Sequence, residues 1–313
     1  MIIVTGGFGF IGSNIVKTLN NKNIFDIAVV DKKKSSPFTN LKFKKFFTLK
    51  SFQKKLKSKS FLNKIEVIFH QGANSSTVGK NIHGYINNNF LFTKNLIDKS
   101  LENNIKLIYA SSASVYGLKK NEFKENLLPL SPANNYGLSK ALVDYYLIDV
   151  LKNNNKAQIV GLRYFNVYGP NEFKKKRMAS VIYNLTQQIL RKNQIKLFKG
   201  SDGFKDGEQK RDFVHVQDCV DINLWFWKKK INGIFNVGTG SAVSFNQVAN
   251  EVKKNLKCKN IKTKYISIPK DIINKYQSYT KANISKLRKV GYKKKLINYK
   301  RGIKSYLSSM NNI

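Results

Sequence analysis

The chain opens on an unbroken apolar run, Met1-Ile2-Ile3-Val4, that reads as a short buried strand. Glycines punctuate residues 6–12, and Ser13-Asn14-Ile15-Val16-Lys17-Thr18-Leu19 then sets apolar residues at helical spacing. Runs of the first kind recur at Ile27-Ala28-Val29-Val30, at Ile65-Glu66-Val67-Ile68-Phe69-His70 and at Lys106-Leu107-Ile108-Tyr109-Ala110, with longer mixed stretches between them. Runs apolar at nearly every position, rather than at alternate positions, mark strands covered on both faces. Strands of that kind alternating with helices predict an α/β fold with a parallel sheet. Residues 32–64 are lysine-rich and more weakly patterned, with a strand expected near Lys44–Phe47 and a helix near Phe52–Leu56.

The first glycine cluster narrows the fold to a Rossmann-type doubly wound sheet. Gly7, Gly9 and Gly12 satisfy G-x-G-x-x-G directly after Gly6. A tight turn there needs positive φ, a pyrophosphate needs backbone without side chains, and the helix must pack closely on the strand. The helix start then offers unpaired N–H groups to phosphates. A glycine turn with packing duties only is the alternative, but the next apolar run ends on Asp31, where a βαβ unit of this kind places the carboxylate that meets an adenosine ribose.

Chemistry gathers at the ends of the later runs. His70, read as a hydrogen-bonding structural residue, leads into the small-residue loop Gln71-Gly72-Ala73-Asn74-Ser75, at the edge where open α/β sheets hold ligands. The 106–110 run delivers Ser111-Ser112-Ala113-Ser114 to the same edge, and Tyr136 and Lys140 follow on one face of a helix. At that spacing an ammonium can lower the pKa of the phenol. A phenol so tuned exchanges a proton with a substrate hydroxyl while hydride moves to a nicotinamide, with Ser112 holding the same oxygen. A chance Tyr-x-x-x-Lys pair is the competing reading, and the glycine turn and serine strand end weigh against it.

Composition changes the picture mainly by exclusion. With 313 residues the chain has room for one large α/β domain and a smaller one. No apolar run reaches the roughly 18 residues of a membrane span, and the start lacks the order of a signal peptide, so a cytoplasmic location is expected. Cys219 and Cys258 lie far apart without metal-ligand spacing, and no metal is expected. The net charge of +39 could mark a polyanion binder, but lysines are scattered throughout and only six of the 57 basic residues are arginine. Together with abundant Asn, Ile, Phe and Tyr, this is the signature of a coding bias towards A and T. No specific nucleic-acid or membrane partner is expected.

The order TGGFGFIG, SSASVYG, YGLSK resembles the extended short-chain dehydrogenase/reductase superfamily of nucleotide-sugar epimerases and dehydratases. Later segments, LRYFNVYGP from Leu162, MAS from Met178, KLFKGS from Lys196, KRDFV from Lys210, IFNVGTG from Ile234 and Tyr276-Gln277, are similar to its ADP-L-glycero-D-manno-heptose 6-epimerase family. The resemblance implies NADP-dependent inversion at C6 of an ADP-heptose, a step in building lipopolysaccharide inner core, by subunits assembled as homo-oligomers, commonly pentamers. It implies Tyr136 and Lys175 as the two proton-transfer groups, supported by Ser112 and Lys140. It also implies cofactor contacts from Gly6, Gly7, Gly9, Phe10, Ile11, Gly12, Asp31, Lys32, Gln71, Gly72, Ala73, Asn74, Ser75, Asn88, Lys140, Val167 and Lys175. Substrate contacts would come from Asn166, Arg177, Asn184, Phe198, Lys199, Gly200, Ser201, Arg211 and Tyr276. The run Lys174-Lys175-Lys176 and Asn184 depart from the usual family pattern, in which a histidine precedes the lysine and a histidine often stands at position 184.

Asp31 by itself reads as NAD-like, since it repels a 2′-phosphate, while Lys32, Lys33 and Lys34 neutralise one. A family lysine maps near Pro37. The expected division is a cofactor-binding domain of residues 1–166, with a returning segment near 212–240, and a mainly substrate-binding domain of residues 167–313. Another nucleotide-sugar epimerase or dehydratase stays open, as does a non-catalytic dinucleotide-binding protein. A dehydratase would carry acidic residues after the strand-end serine, where this chain has Ala113 and Ser114.

Overall fold

The computed structural model describes all residues except 33–39, 78, 80, 119–122, 153–156, 259, 271 and 311–313, and does not describe the side chains of residues 174, 176 and 177. Twelve strands in three sheets are found among the described residues. They are β1 (Ile2–Thr5), β2 (Ile27–Val30), β3 (Lys45–Phe47), β4 (Val67–His70), β5 (Lys106–Ser112), β6 (Ile159–Tyr164), β7 (Asn166–Tyr168), β8 (Gln194–Phe198), β9 (Lys210–His215), β10 (Gly233–Val237), β11 (Ala242–Ser244) and β12 (Lys262–Ile266).

Seven of these make one parallel sheet in the order β10-β6-β5-β4-β1-β2-β3. The order reverses between β1 and β4, and that switch point is where a doubly wound sheet opens a crevice at its carboxyl edge. Both faces are buried, as the apolar runs require. Ile2 and Val4 point into a core shared with the helices Phe10–Asn20 and Val216–Trp227. Ile3, between them, enters the opposite core, which holds Leu96 and Ile97 of the helix Phe92–Asn103 and Val143 and Leu147 of the helix Asn135–Lys152. The residues of this α/β sheet thus alternate between two apolar layers.

Asp144 fastens the Asn135–Lys152 helix to the sheet from within. Its carboxylate pairs with the fully buried Arg163 of β6 at 2.8 Å and accepts the hydroxyls of Tyr109 and Ser111 of β5, each at 2.9 Å. Helix and strand ends therefore sit in one register.

Downstream of β6, β7 and β11 flank β9 in a three-stranded sheet, and β8 pairs with β12 in a two-stranded one. The chain then returns to the main sheet through the Val216–Trp227 helix and β10. A third core, including Ile182, Leu185, Val248 and Ile303, lies under these small sheets.

Three local departures from the sequence reading have physical causes. The fourth strand starts at Val67, where its pairing with Ile2 of β1 begins, although the Glu66 N–H still reaches across to the Met1 carbonyl at 3.0 Å. Strand β5 runs on to Ser112 because Ser111 and Ser112 still pair with Arg163 and Tyr164. The stretch containing Asn87-Asn88-Asn89 winds as a π-helical turn, Ile86–Leu91, which inserts a residue and aims Asn89 inward.

Candidate active site

The glycine turn is tighter than its spacing alone implied, and its positive φ falls on Gly6 (+64°) rather than on Gly7, Gly9 or Gly12. Gly6 has its N–H on the Val30 carbonyl at 2.7 Å, and its own carbonyl accepts the Gly9 N–H at 2.9 Å. A Cβ on Gly12 would stand 2.2 Å from the Gly6 oxygen, so the helix packs on the turn with no room for a side chain. Gly7 is turned away, against Val29 and Val4. Behind the turn, the Phe10–Asn20 helix begins at Gly9 with no side-chain cap and no acidic residue in its first turn. Its leading N–H groups thus remain available to an anion.

Around this turn lies a cavity of about 470 Å³ at the carboxyl edge of the sheet. Of the residues named for the cofactor, all but Gly7 line it: the turn, Asp31 and Lys32 after β2, the loop Gln71–Ser75 after β4, Asn88, Lys140, Val167 and Lys175. Asp31 accepts the Phe8 N–H at 2.9 Å and the Lys32 N–H at 2.7 Å, which fixes its carboxylate at the tip of β2. Lys33, Lys34 and Pro37 lie outside the described residues. A chain with this side-chain-free turn, open helix start and fixed carboxylate fits an adenine dinucleotide.

Ser112 and Tyr136 line the same cavity. Burial holds the Tyr136 phenol above its ordinary value, and a hydrogen bond with the Ser112 hydroxyl works against that rise. Lys140 does not act on the phenol as the four-residue spacing predicted. Its ammonium is buried and donates to the Ala110 carbonyl of β5 at 2.7 Å, a direct acceptor for a desolvated charge. Burial lowers Lys140 to about 8, opposed by the nearby Asp144 carboxylate.

Lys175 enters the cavity from the other side of the crevice, its Nζ 5.2 Å from the centre of the Phe10 ring. Burial lowers its pKa, and the Glu172 carboxylate opposes that effect. Glu172 itself is clamped, accepting the Gly169 N–H at 3.3 Å and the Ser180 hydroxyl at 2.8 Å.

The model of the NAD dependent epimerase/dehydratase family matches residues 2–238 of this chain, a span that holds the turn, Asp31, Ser112, Tyr136, Lys140 and Lys175. The chain belongs to that family. Within it, the chain is 46% identical over 98% of its length, and 96% of the relative's, to an ADP-L-glycero-D-manno-heptose-6-epimerase of Brachyspira hyodysenteriae. The crystal structure of the Helicobacter pylori ADP-L-glycero-D-manno-heptose-6-epimerase is 32% identical, with a TM-score of 0.80 over 100% of this chain and 96% of that one. A UDP-N-acetylglucosamine 4-epimerase of Methanobrevibacter ruminantium M1, solved with UDP-N-acetylmuramic acid, superposes with a TM-score of 0.83 at 26% identity, covering 100% and 98%. Backbone shape is therefore common to the family, and identity separates its members.

The described residues named for substrate do not line this cavity. Phe198, Arg211 and Tyr276 stand together, with the two rings 5.4 Å apart and the Arg211 guanidinium 5.1 Å from the Tyr276 ring. Burial pulls Arg211 down to about 10, and among the described residues it makes no ion pair with a carboxylate. Beside them, Gln209 ties the Lys199 carbonyl (2.7 Å) to the Ser201 hydroxyl (3.1 Å), and Gly200 donates to Asp206 at 2.7 Å. Asn166 spends its amide on Asp212 O and Thr280 Oγ1, each at 3.1 Å, and Asn184 spends its own on Ala179 O at 3.0 Å. The Arg177 side chain lies outside the described residues.

Sequence reading missed Thr5, Tyr164, Phe165 and Asn171, all of which line the cavity. Thr5 and Tyr164 are the last residues of β1 and β6, so strand ends were the available signal. Asn171, with φ +76°, and the buried Asn89 carried none.

Proposed function

We propose that this chain inverts C6 of the heptose in ADP-D-glycero-D-manno-heptose, giving ADP-L-glycero-D-manno-heptose for lipopolysaccharide inner-core synthesis, with bound NADP as its redox partner. The observation that carries the reading is that two proton-transfer groups, Tyr136 and Lys175, reach one dinucleotide-shaped cavity from different elements. The 46% identity to a heptose 6-epimerase selects this sugar over those of other family members. When bound, the nicotinamide supplies the redox step, accepting the C6 hydride and returning it to the opposite face of a transient ketone.

An inversion of this kind needs a proton donor or acceptor on each side of the reacting carbon. Tyr136, kept protonated by burial and held by Ser112, fills one role, with Ser112 also gripping the substrate oxygen. Lys175 fills the other, since burial makes its neutral amine easier to reach. Lys140 lends positive charge to the cavity floor and has further N–H donors for ribose hydroxyls. Arg211 serves the ADP diphosphate, because a guanidinium pairs two oxygens at once and this one is buried without an ion-pair partner among the described residues. Lys32 beside Asp31 supports NADP over NAD, with the Asp31 charge already engaged by two backbone N–H groups.

Incubating the purified chain with ADP-D-glycero-D-manno-heptose, with no cofactor added, tests the reading. Formation of the L-epimer without accumulating reduced nicotinamide is expected. Absence of epimer even with NADP and NAD supplied would overturn it.

A further inference from the structure

Beneath the cavity runs a buried chain of hydrogen bonds that the proposed chemistry leaves unused. The Gly72 N–H donates to Thr5 Oγ1 at 3.1 Å, and Thr5 Oγ1 meets His70 Nδ1 at 2.6 Å. His70 Nε2 meets Thr93 Oγ1 at 2.9 Å, and Thr93 Oγ1 donates to the Asn89 carbonyl at 2.5 Å. The Asn89 side chain then takes both the N–H and the carbonyl of Asn74, at 2.7 and 3.0 Å, and donates to Ser139 Oγ at 2.9 Å. Ser139 Oγ closes the run on the Tyr136 carbonyl at 2.7 Å. Thr5, Gly72, Asn74 and Tyr136 all line the cavity, while His70, Asn89, Thr93 and Ser139 are buried behind it.

The directions of these bonds are not free. Each hydroxyl has a single proton. Thr93 gives its own to Asn89, so it can only accept from His70, and the imidazole proton must sit on Nε2. Nδ1 is then an acceptor, and Thr5 donates to it while accepting from Gly72. A charged imidazole would place N–H against Thr5 and strand the Thr5 hydroxyl proton in a buried site. Burial and the neighbouring Lys140 charge both disfavour that form, lowering His70 to about 3.

We propose that His70, held as its neutral Nε2–H tautomer, is a positioning residue that sets the cofactor-facing loop Gln71–Ser75 and the Tyr136 helix in register through Thr5, Thr93 and Asn89. The proposal rests on the reading of the cavity as a dinucleotide site. His70 does not line the cavity. Its action is on Gly72 and Asn74, which do.

The test uses the full chain labelled with [15N]histidine, its His70 signals assigned by their loss in His70→Phe. The wild type is expected to show Nε2 protonated and Nδ1 bare, unchanged from pH 8 to 5.5. His70→Phe, which keeps the edge-on packing against Phe92 but leaves the buried Thr5 and Thr93 hydroxyls without their partner, is expected to weaken NADP binding by about tenfold or more in a chain that is still folded at a lowered Tm, and His70→Asn, which restores an acceptor towards Thr5, to recover part of that binding loss. Thr93→Val, of nearly the same shape, is expected to weaken NADP binding similarly and decides the matter if His70→Phe does not fold. NADP binding at the wild-type level in His70→Phe or Thr93→Val, or an Nδ1 proton in the wild type, would overturn the proposal alone. A wild type that binds neither NADP nor NAD would overturn the dinucleotide reading itself.

Discussion

At the scale of single residues, environment sets what each ionisable group does. Tyr136 and Lys140 sit four apart on one helix, yet the lysine spends its charge on the Ala110 carbonyl and the phenol answers to burial and Ser112. In the proposed mechanism the phenol is a proton carrier that begins its cycle protonated. Tyr136→Phe removes that proton and nothing else of comparable size, so kcat should fall by about 10²–10⁴-fold with bound dinucleotide retained. Steady-state rates and cofactor released on denaturation check both halves, and full turnover in the variant would sink the role. That Ser112, Tyr136 and Lys140 meet at one cavity was legible in the sequence, because a strand end and a helix start fix where they lie. The hydrogen-bond partner of Lys140 was not, since a backbone carbonyl has no sequence signature.

Among the elements, the glycine turn does the most to shape the site. Its sequence spacing placed the positive φ among Gly7, Gly9 and Gly12 without singling one out, and left out Gly6, because G-x-G-x-x-G and G-x-x-G-x-x-G overlap when Gly6 and Gly7 are adjacent. Gly12→Ala would bring a methyl within 2.2 Å of the Gly6 oxygen and 2.9 Å of Gly7 Cα, both backbone atoms. The helix must then lift off the turn, which costs on the order of 1–3 kcal/mol as overpacking and moves the N–H groups that meet phosphate. A lower urea midpoint and lost dinucleotide binding are the expected pair of results. Asn89 shows the limit of pattern reading at this scale: a π-helical turn differs from an α-helix by one inserted residue, too small a change for apolar periodicity to register.

For the whole molecule, a parallel sheet covered on both faces was legible, because buried parallel strands write continuous apolar runs, and the family was legible in its motifs; the strand order was not. Nor were the small sheets, since β7 and β11 have only three residues each, β12 is half-exposed, and the strands pair across long separations. Among the described residues no helix is long and apolar enough to cross a membrane.

Stability should also fall on mild acidification. His70 and His215 are lowered by burial from 6.5 to about 3 and about 4, so both are neutral in the folded chain at pH 6 while the unfolded chain binds protons there. Their contribution is complete above about pH 6.5 and is lost as pH falls towards those values. Asp218, raised to about 6, acts in the opposite sense only below roughly that pH. Between pH 7.5 and 6 the net loss is about 1 kcal/mol, readable as a falling urea midpoint at constant ionic strength. A midpoint that rises over this range would contradict the burial of the two imidazoles.

The central claim, that one site removes a hydride from C6 and returns it to the other face, is tested most directly with ADP-D-glycero-D-manno-heptose carrying deuterium at C6. The chain should yield the L-epimer with deuterium still on C6, because the label never meets solvent. An L-epimer whose C6 label has washed out into water would contradict the redox mechanism, and no epimer at all would contradict the assignment.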